Sequence, residues 1–203
     1  MRTGVLANGC YMERKDAIDY PAQYRSDLLT ALDKMDLPRV TQAIDVFMEA
    51  RTLNHRIFVC GNGASATVTA QFLCDLVKGT GYNLSARFRV LALTDQHPST
   101  GIASESVRRE RVFVDQLQTL AEFGDVVMGI SSGGNAASLV SAFEHAVCVG
   151  CRTIALTGPD ASKLQPLADV HIIVPATQTA SVEDGLMIVC HMIGTYFERF
   201  PAA

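Results

Sequence analysis

The stretch from Arg56 to Val77 constrains the fold of this chain more than any other. Ile57 to Cys60 is a short apolar run rich in β-formers and reads as a buried strand. Gly61-Asn62-Gly63-Ala64-Ser65 follows as a turn, and Val68, Phe72, Leu73 and Leu76 then recur at helical spacing. Strand, glycine-rich turn and helix N-terminus together form an anion-holding geometry. The first-turn N–H groups lack partners, the helix dipole is positive there, and glycine lets a ligand reach the backbone. Asn62 and Ser65 add side-chain donors. The turn lacks the Gly-Lys-Ser/Thr of a P-loop and the third glycine of a dinucleotide fingerprint. The expected anion is therefore the phosphate of a small molecule and not ATP or NAD.

The same alternation continues along the chain. Strands are expected at Phe88–Leu93, Val126–Ile130, Thr153–Thr157 and Val170–Val174. Helices are expected at Val107–Phe123, Asn135–Val149, a short piece near Ser162–Leu167, and Ala180–Phe200, with Thr94–Glu105 a polar connection. Residues 1–20 are weakly patterned and read as a loose arm with a short helix. Two helices then precede the first strand. Tyr24, Leu28, Leu29 and Leu32 stripe one, Val40, Ala43, Ile44, Phe47 and Met48 the other, and Leu37-Pro38 breaks them. They either cover the sheet or pair with another subunit, with packing on the sheet the default. Fully apolar strands alternating with helices imply a parallel sheet covered on both faces. A length of 203 residues with 48% hydrophobic content suits one domain, an N-terminal helical arm (1–55) and an α/β core (56–203).

Charge and cysteine usage narrow the partners. A formal charge of −4 from 17 basic and 21 acidic residues leaves no electrostatic footprint for nucleic acid or an anionic membrane. Arg108-Arg109-Glu110-Arg111 is interrupted by an acid and reads as a solvated or ion-paired face. No signal peptide or membrane-length apolar run is visible, so a cytoplasmic protein is expected. Cysteines 10, 60, 74, 148, 151 and 190 lie mostly in apolar segments and read as buried thiols in a reducing compartment. Cys148-Val-Gly-Cys151 has metal-type spacing but no second pair to complete a site.

Ligands of parallel α/β sheets bind beyond the strand C-termini. The loops expected there are Gly61–Ser65, Ser131-Ser-Gly-Gly-Asn135, Thr157-Gly-Pro-Asp160 and Pro175-Ala-Thr-Gln-Thr179. Two of them, each a glycine-rich turn into a helix, could grip a phosphate from two sides. The alternative for any one of them is steric, since such turns often need small residues to pack. Polar residues also interrupt two apolar helices. Gln71 and Asp75 form an i, i+4 pair, and Glu183, Met187 and His191 follow one row of the last helix. Such groups need partners or a task. Asp75 and His191 make a plausible acid/base pair, and with Gln71 and Glu183 they could also present ligands to a divalent metal.

These marks together resemble the sugar isomerase (SIS) domain family, and within it the phosphoheptose isomerases. They are Gly-Asn-Gly-x-Ser at 61–65, Gly-Ile-Ser-x-x-Gly-Asn at 129–135, Leu-Thr-Gly at 156–158, Val-Pro at 174–175 and the last helix with His191. The resemblance implies a single SIS domain, a three-layer α/β/α sandwich around a five-stranded parallel sheet, preceded by N-terminal helices. It implies a cytoplasmic homotetramer with sites between subunits, a phosphorylated sugar as ligand, and no nucleic-acid or membrane partner. The implied reaction interconverts sedoheptulose 7-phosphate and glycero-manno-heptose 7-phosphate through an enediol.

By position, Asp75 stands where the family has a catalytic glutamate, and His191 matches the catalytic histidine. Asn62, Gly63, Ser65, Glu105, Ser131, Ser132, Gly133 and Asn135 fall at substrate- and phosphate-binding positions. The four metal-ligand positions read Gln71, Asp75, Glu183 and His191 where the family has His, Glu, Gln and His. That set implies zinc or a harder ion as the one possible cofactor. Gly133 and Ala136 replace two serines of the second loop, and Ser181 replaces an arginine. Either the substrate differs or catalysis is weakened. The alternative is a non-catalytic SIS module, a phosphosugar sensor or a protein-binding regulator like the family's replication-initiation factor.

Overall fold

A computed structural model describes residues 14–79, 87–93, 110–161 and 163–200. Its elements run α1 (Arg14–Asp33), α2 (Leu37–Thr52), β1 (Arg56–Gly61), α3 (Ala64–Gly79), β2 (Arg89–Leu93) and α4 (Val114–Leu120). There follow β3 (Val126–Ser131), α5 (Ala137–Val149), β4 (Arg152–Thr157), a 3-10 turn (Gln165–Leu167), β5 (Val170–Ile173) and α6 (Thr179–Arg199). All strand pairs are parallel, in the order β2-β1-β3-β4-β5. The register sets Val59 beside Met128, and Met128 beside Ile154.

Period-two alternation sends the strand side chains into two cores. Ile57, Val59, Val126, Met128, Ile130, Ile154 and Ile172 meet α2, α3 and α6 on one face. Phe58, Cys60, Val127 and Ala155 meet Leu117 of α4 and Leu139 and Phe143 of α5 on the other. The result is the three-layer α/β/α sandwich expected from the strand–helix alternation. The second N-terminal helix belongs to the first core. Val40, Ala43, Val46, Phe47 and Ala50 of α2 are buried there, as the default reading of that helix had it. Contact between α1 and α6 includes a hydrogen bond from the Tyr24 hydroxyl to Asp184 Oδ2 at 2.7 Å.

Three expectations need correction. The strands are not all fully buried: β2 and β5 are the sheet edges, and Leu91 and Ile173 are exposed where, among the described residues, no further strand or helix covers them. The helix expected to reach Phe123 stops at Leu120. Ala121 is extended, Gly124 has φ +86°, and Asp125 Oδ2 accepts the Glu122 N–H at 2.9 Å, turning the chain into β3. Of the described cysteines, Cys60, Cys151 and Cys190 are buried, but Cys74 and Cys148 are exposed, and all five are free thiols. Burial pushes the Cys60 thiol up to about 12 and Cys151 to about 11. Arg111 pairs with Asp115 at 2.6 Å, as an ion-paired face requires. Residues 1–13, Cys10, the connection 94–105, Val107, Arg108, Arg109 and Ser162 lie outside the described residues. No helix among the described residues is long and apolar enough to cross a membrane.

Candidate active site

Strand order reverses direction between β1 and β3, because β2 lies on one side of β1 and β3, β4, β5 on the other. That switch point leaves a crevice at the strand C-termini, where open α/β sheets bind ligands. The turns after β1 and β3 flank it, and the Asn62 amide donates across it to Ser138 Oγ at 2.9 Å. Behind the second turn, Ser131 Oγ accepts the Gly134 N–H at 3.0 Å. Asn135 is fixed by Asp160 and Lys163, its amide N–H donating to the Asp160 carbonyl at 2.6 Å. Both turns are therefore built into the scaffold, and the second is tied to the β4 loop.

The glycines of these turns divide into two kinds. A Cβ on Gly61 would lie 2.8 Å from the Ser65 carbonyl, one on Gly134 2.2 Å from Ala161 Cβ, and one on Gly158 2.2 Å from the Ser132 carbonyl. Those three are small for packing, as the steric alternative has it. Gly63 and Gly133, one in each turn, would meet nothing within 4 Å. Open space over a bare backbone in both turns is where a ligand can approach closely. Ser65 is buried at the start of α3, Ser131 and Ser132 are half-buried, and Asn62, Gly63, Gly133 and Asn135 are exposed. Glu105 lies outside the described residues.

A second polar group forms where α3 packs on α6. Gly194 makes the approach possible: a Cβ there would stand 2.7 Å from Asp75 Cβ. With the helices this close, Asp75 Oδ2 lies 3.6 Å from His191 Nε2, the aspartate side chain 17% exposed and the histidine 48%. Gln71 Nε2 donates to Asp75 Oδ1 at 2.9 Å. Asp75 Oδ2 is buried and, among the described residues, has no hydrogen-bond partner. Burial, with the Asp75 charge adding to it, drives the neighbouring Cys190 thiol pKa far upward, so that thiol stays protonated.

The structure thus joins Gln71, Asp75 and His191. Glu183 does not complete a metal set with them: among the described residues no three His, Cys, Asp or Glu side chains gather where an ion could bind. Gln71 turns the N–H side of its amide to Asp75, as it must toward an ionised carboxylate, which only accepts. Of the joined three, only Asp75 and His191 are His, Cys, Asp or Glu side chains, against the three protein ligands of a catalytic zinc. This donor set does not fit a metal centre.

Sequence reasoning missed two residues. Ser138, which accepts from the first turn, and Gly194, which sets the helix spacing, both look like ordinary small residues of apolar helices. Only the bulk missing at Gly194, beside a polar residue on the same helix, could have drawn attention to it.

A parallel sheet covered on both faces, with two glycine-rich turns at its switch point, defines a ligand-binding class of α/β domain, and family comparison makes that specific. Residues 20–158 match the family model described as the SIS domain, and the chain belongs to that family. The phosphoheptose isomerase of Citrifermentans bemidjiense is 30% identical over 184 residues, which span 90% of this chain and 95% of that protein. The solved phosphoheptose isomerase of Francisella tularensis superposes with a TM-score of 0.78 at 22% identity, over 93% of this chain and 100% of that one. The solved phosphoheptose isomerase of Neisseria gonorrhoeae also superposes at 0.78, with 23% identity over 92% of this chain and 98% of that one.

Proposed function

We propose that this protein is a phosphosugar aldose–ketose isomerase, with sedoheptulose 7-phosphate and glycero-manno-heptose 7-phosphate as its substrate pair. The observation that carries the reading is the Asp75 carboxylate. One oxygen is satisfied by Gln71, and the other is buried without a hydrogen-bond partner, 3.6 Å from an imidazole. A buried polar atom left unsatisfied is costly and calls for a task. The kinship to phosphoheptose isomerases supplies the substrate class.

The chemistry needs one base and one acid at neighbouring positions. Asp75 Oδ2 takes the proton from the carbon beside the carbonyl, and the C–H electron pair becomes the second bond of the enediol. Protonated His191 gives its proton to the carbonyl oxygen. Asp75 then returns its proton to the former carbonyl carbon, while His191 recovers one from the hydroxyl of the carbon that Asp75 first deprotonated, where the new carbonyl forms. No proton or electron is gained or lost overall. Gly63 and Gly133, with Ser65, Ser131, Ser132 and the Asn62 and Asn135 amides around them, hold the phosphate.

Ten residues separate Ser65 from Asp75 along α3, a distance of about 15 Å at the helical rise. One chain's phosphate turn and its own acid/base pair are far apart for a single sugar phosphate. That spacing supports a homo-oligomer, a tetramer by the family's habit, in which the turn of one copy serves the pair of another.

Proton exchange tests the reading. Sedoheptulose 7-phosphate is incubated with the protein in D2O and followed by NMR. Deuterium beside the carbonyl together with aldose product is expected. Ligand-induced thermal stabilisation with no exchange would overturn the enzyme and leave a phosphosugar sensor.

A further inference from the structure

Gln71 has no part in the proton transfers, yet among the described residues it makes the one hydrogen bond that fixes the carboxylate. A carboxylate turns easily about its terminal torsion, so a single donor on Oδ1 decides where Oδ2 points. Here Gln71 Nε2 holds Oδ1 at 2.9 Å from one helical turn away, and Oδ2 is left buried, without a hydrogen-bond partner, toward His191 Nε2. A metal ligand must show a lone pair to the shared centre, whereas the edge of Gln71 that faces Asp75 is its N–H edge. Glu183 does not gather with Asp75 and His191. We propose that Gln71 is a positioning residue that aims Asp75 Oδ2 at the reacting carbon, in a site that works without a bound metal ion.

The inference rests on Asp75 and His191 being the proton-transfer pair, and the test separates the two. Full-length protein is incubated with zinc, passed through gel filtration and assayed for retained metal and for thermal shift. The wild type is expected to retain no zinc, and EDTA is expected to leave its turnover unchanged. Gln71→His places His, Asp and His around one point, enough for three-ligand zinc, and is expected to retain the ion. Gln71→Leu removes the donor while keeping an apolar side chain on the helix. Its kcat is expected to fall about tenfold to a hundredfold with KM held, a smaller loss than the roughly 10²–10⁴-fold that a general base itself contributes. The pH–rate profile should shift with it, and so should the His191 ring titration followed by NMR. Stoichiometric zinc on the wild type, or turnover abolished by EDTA, would overturn the metal-free site. An unmoved pH profile and His191 titration in Gln71→Leu would overturn the positioning role. A wild type without turnover would sink the isomerase reading alone, since metal content and the His191 titration still decide this one.

Discussion

Two low-exposure aspartates stand at different places in this molecule and are treated in opposite ways. Asp125, just before β3, has both oxygens occupied. Oδ1 accepts the Arg56 N–H at 2.7 Å, Oδ2 accepts the Glu122 N–H at 2.9 Å, and the Arg56 guanidinium and His55 ring stand 3.9 Å away. Asp75 has one oxygen occupied and the other without a hydrogen-bond partner. The first carboxylate fastens the chain ends of β1 and β3 together. The second sits at a seam between two helices with one lone-pair face unspent. Burial alone does not separate the two; the completeness of their hydrogen bonding does.

The sharpest way to break this contrast is to remove the carboxylate at each aspartate in turn. Asp75→Asn should lower kcat by on the order of 10²–10⁴ with the melting temperature nearly unchanged, read by isomerase assay and calorimetry together. Asp125→Ala should do the reverse. Two backbone N–H groups lose their acceptor at about 1–3 kcal/mol each, so a loss of roughly 2–6 kcal/mol is expected in urea unfolding, with turnover per folded molecule retained. Equal effects of the two variants on stability would erase the distinction.

Gly194→Ala probes the seam itself. Overpacking of this kind costs about 1–3 kcal/mol, partly offset by the roughly 1 kcal/mol helix advantage of alanine over glycine. The variant should stay folded while kcat falls and KM holds, because the new methyl separates Asp75 from His191.

The smallest effect concerns His171 on β5, a control away from the seam. Thr157 donates its hydroxyl to the Gly158 carbonyl, so the His171 Nε2–H donates to Thr157 Oγ1 at 2.8 Å. Partial burial, and then the Arg39 charge, lower its pKa from 6.5. A lowered histidine binds fewer protons folded than unfolded. Its contribution is complete above about 6.5 and is lost as pH falls through the window down to the lowered value. Urea midpoints between pH 7.5 and 5 should fall, and His171→Gln should flatten that slope.

The sandwich could be read from the chain because each central strand is a short β-rich run and each helix keeps its period. The two edge strands could not, since an apolar run carries no sign of how many neighbours it will have. Asp75 and His191 stood out as polar residues on apolar helices, and their meeting followed from both helices lying on one face. The ligand set did not follow in the same way. Spacing along α6 put Glu183 on the row of His191, but whether three side chains converge depends on the crossing of two helices, which no local pattern encodes. Asp125 escaped notice because an acid before a strand looks like any loop residue until the backbone groups it serves are seen.

The close pass of α3 and α6 also orders events in the life of the chain. Asp75 is made well before His191, which stands on the last of the described helices. Domains form as units, and the strands, both glycine-rich turns and the other helices of the first core are synthesised ahead of α6, which completes that core. A chain interrupted before Thr179 would keep the phosphate turns and lack half of the acid/base pair. On the proposed reading, the proton-transfer pair is complete only once α6 has been made through His191.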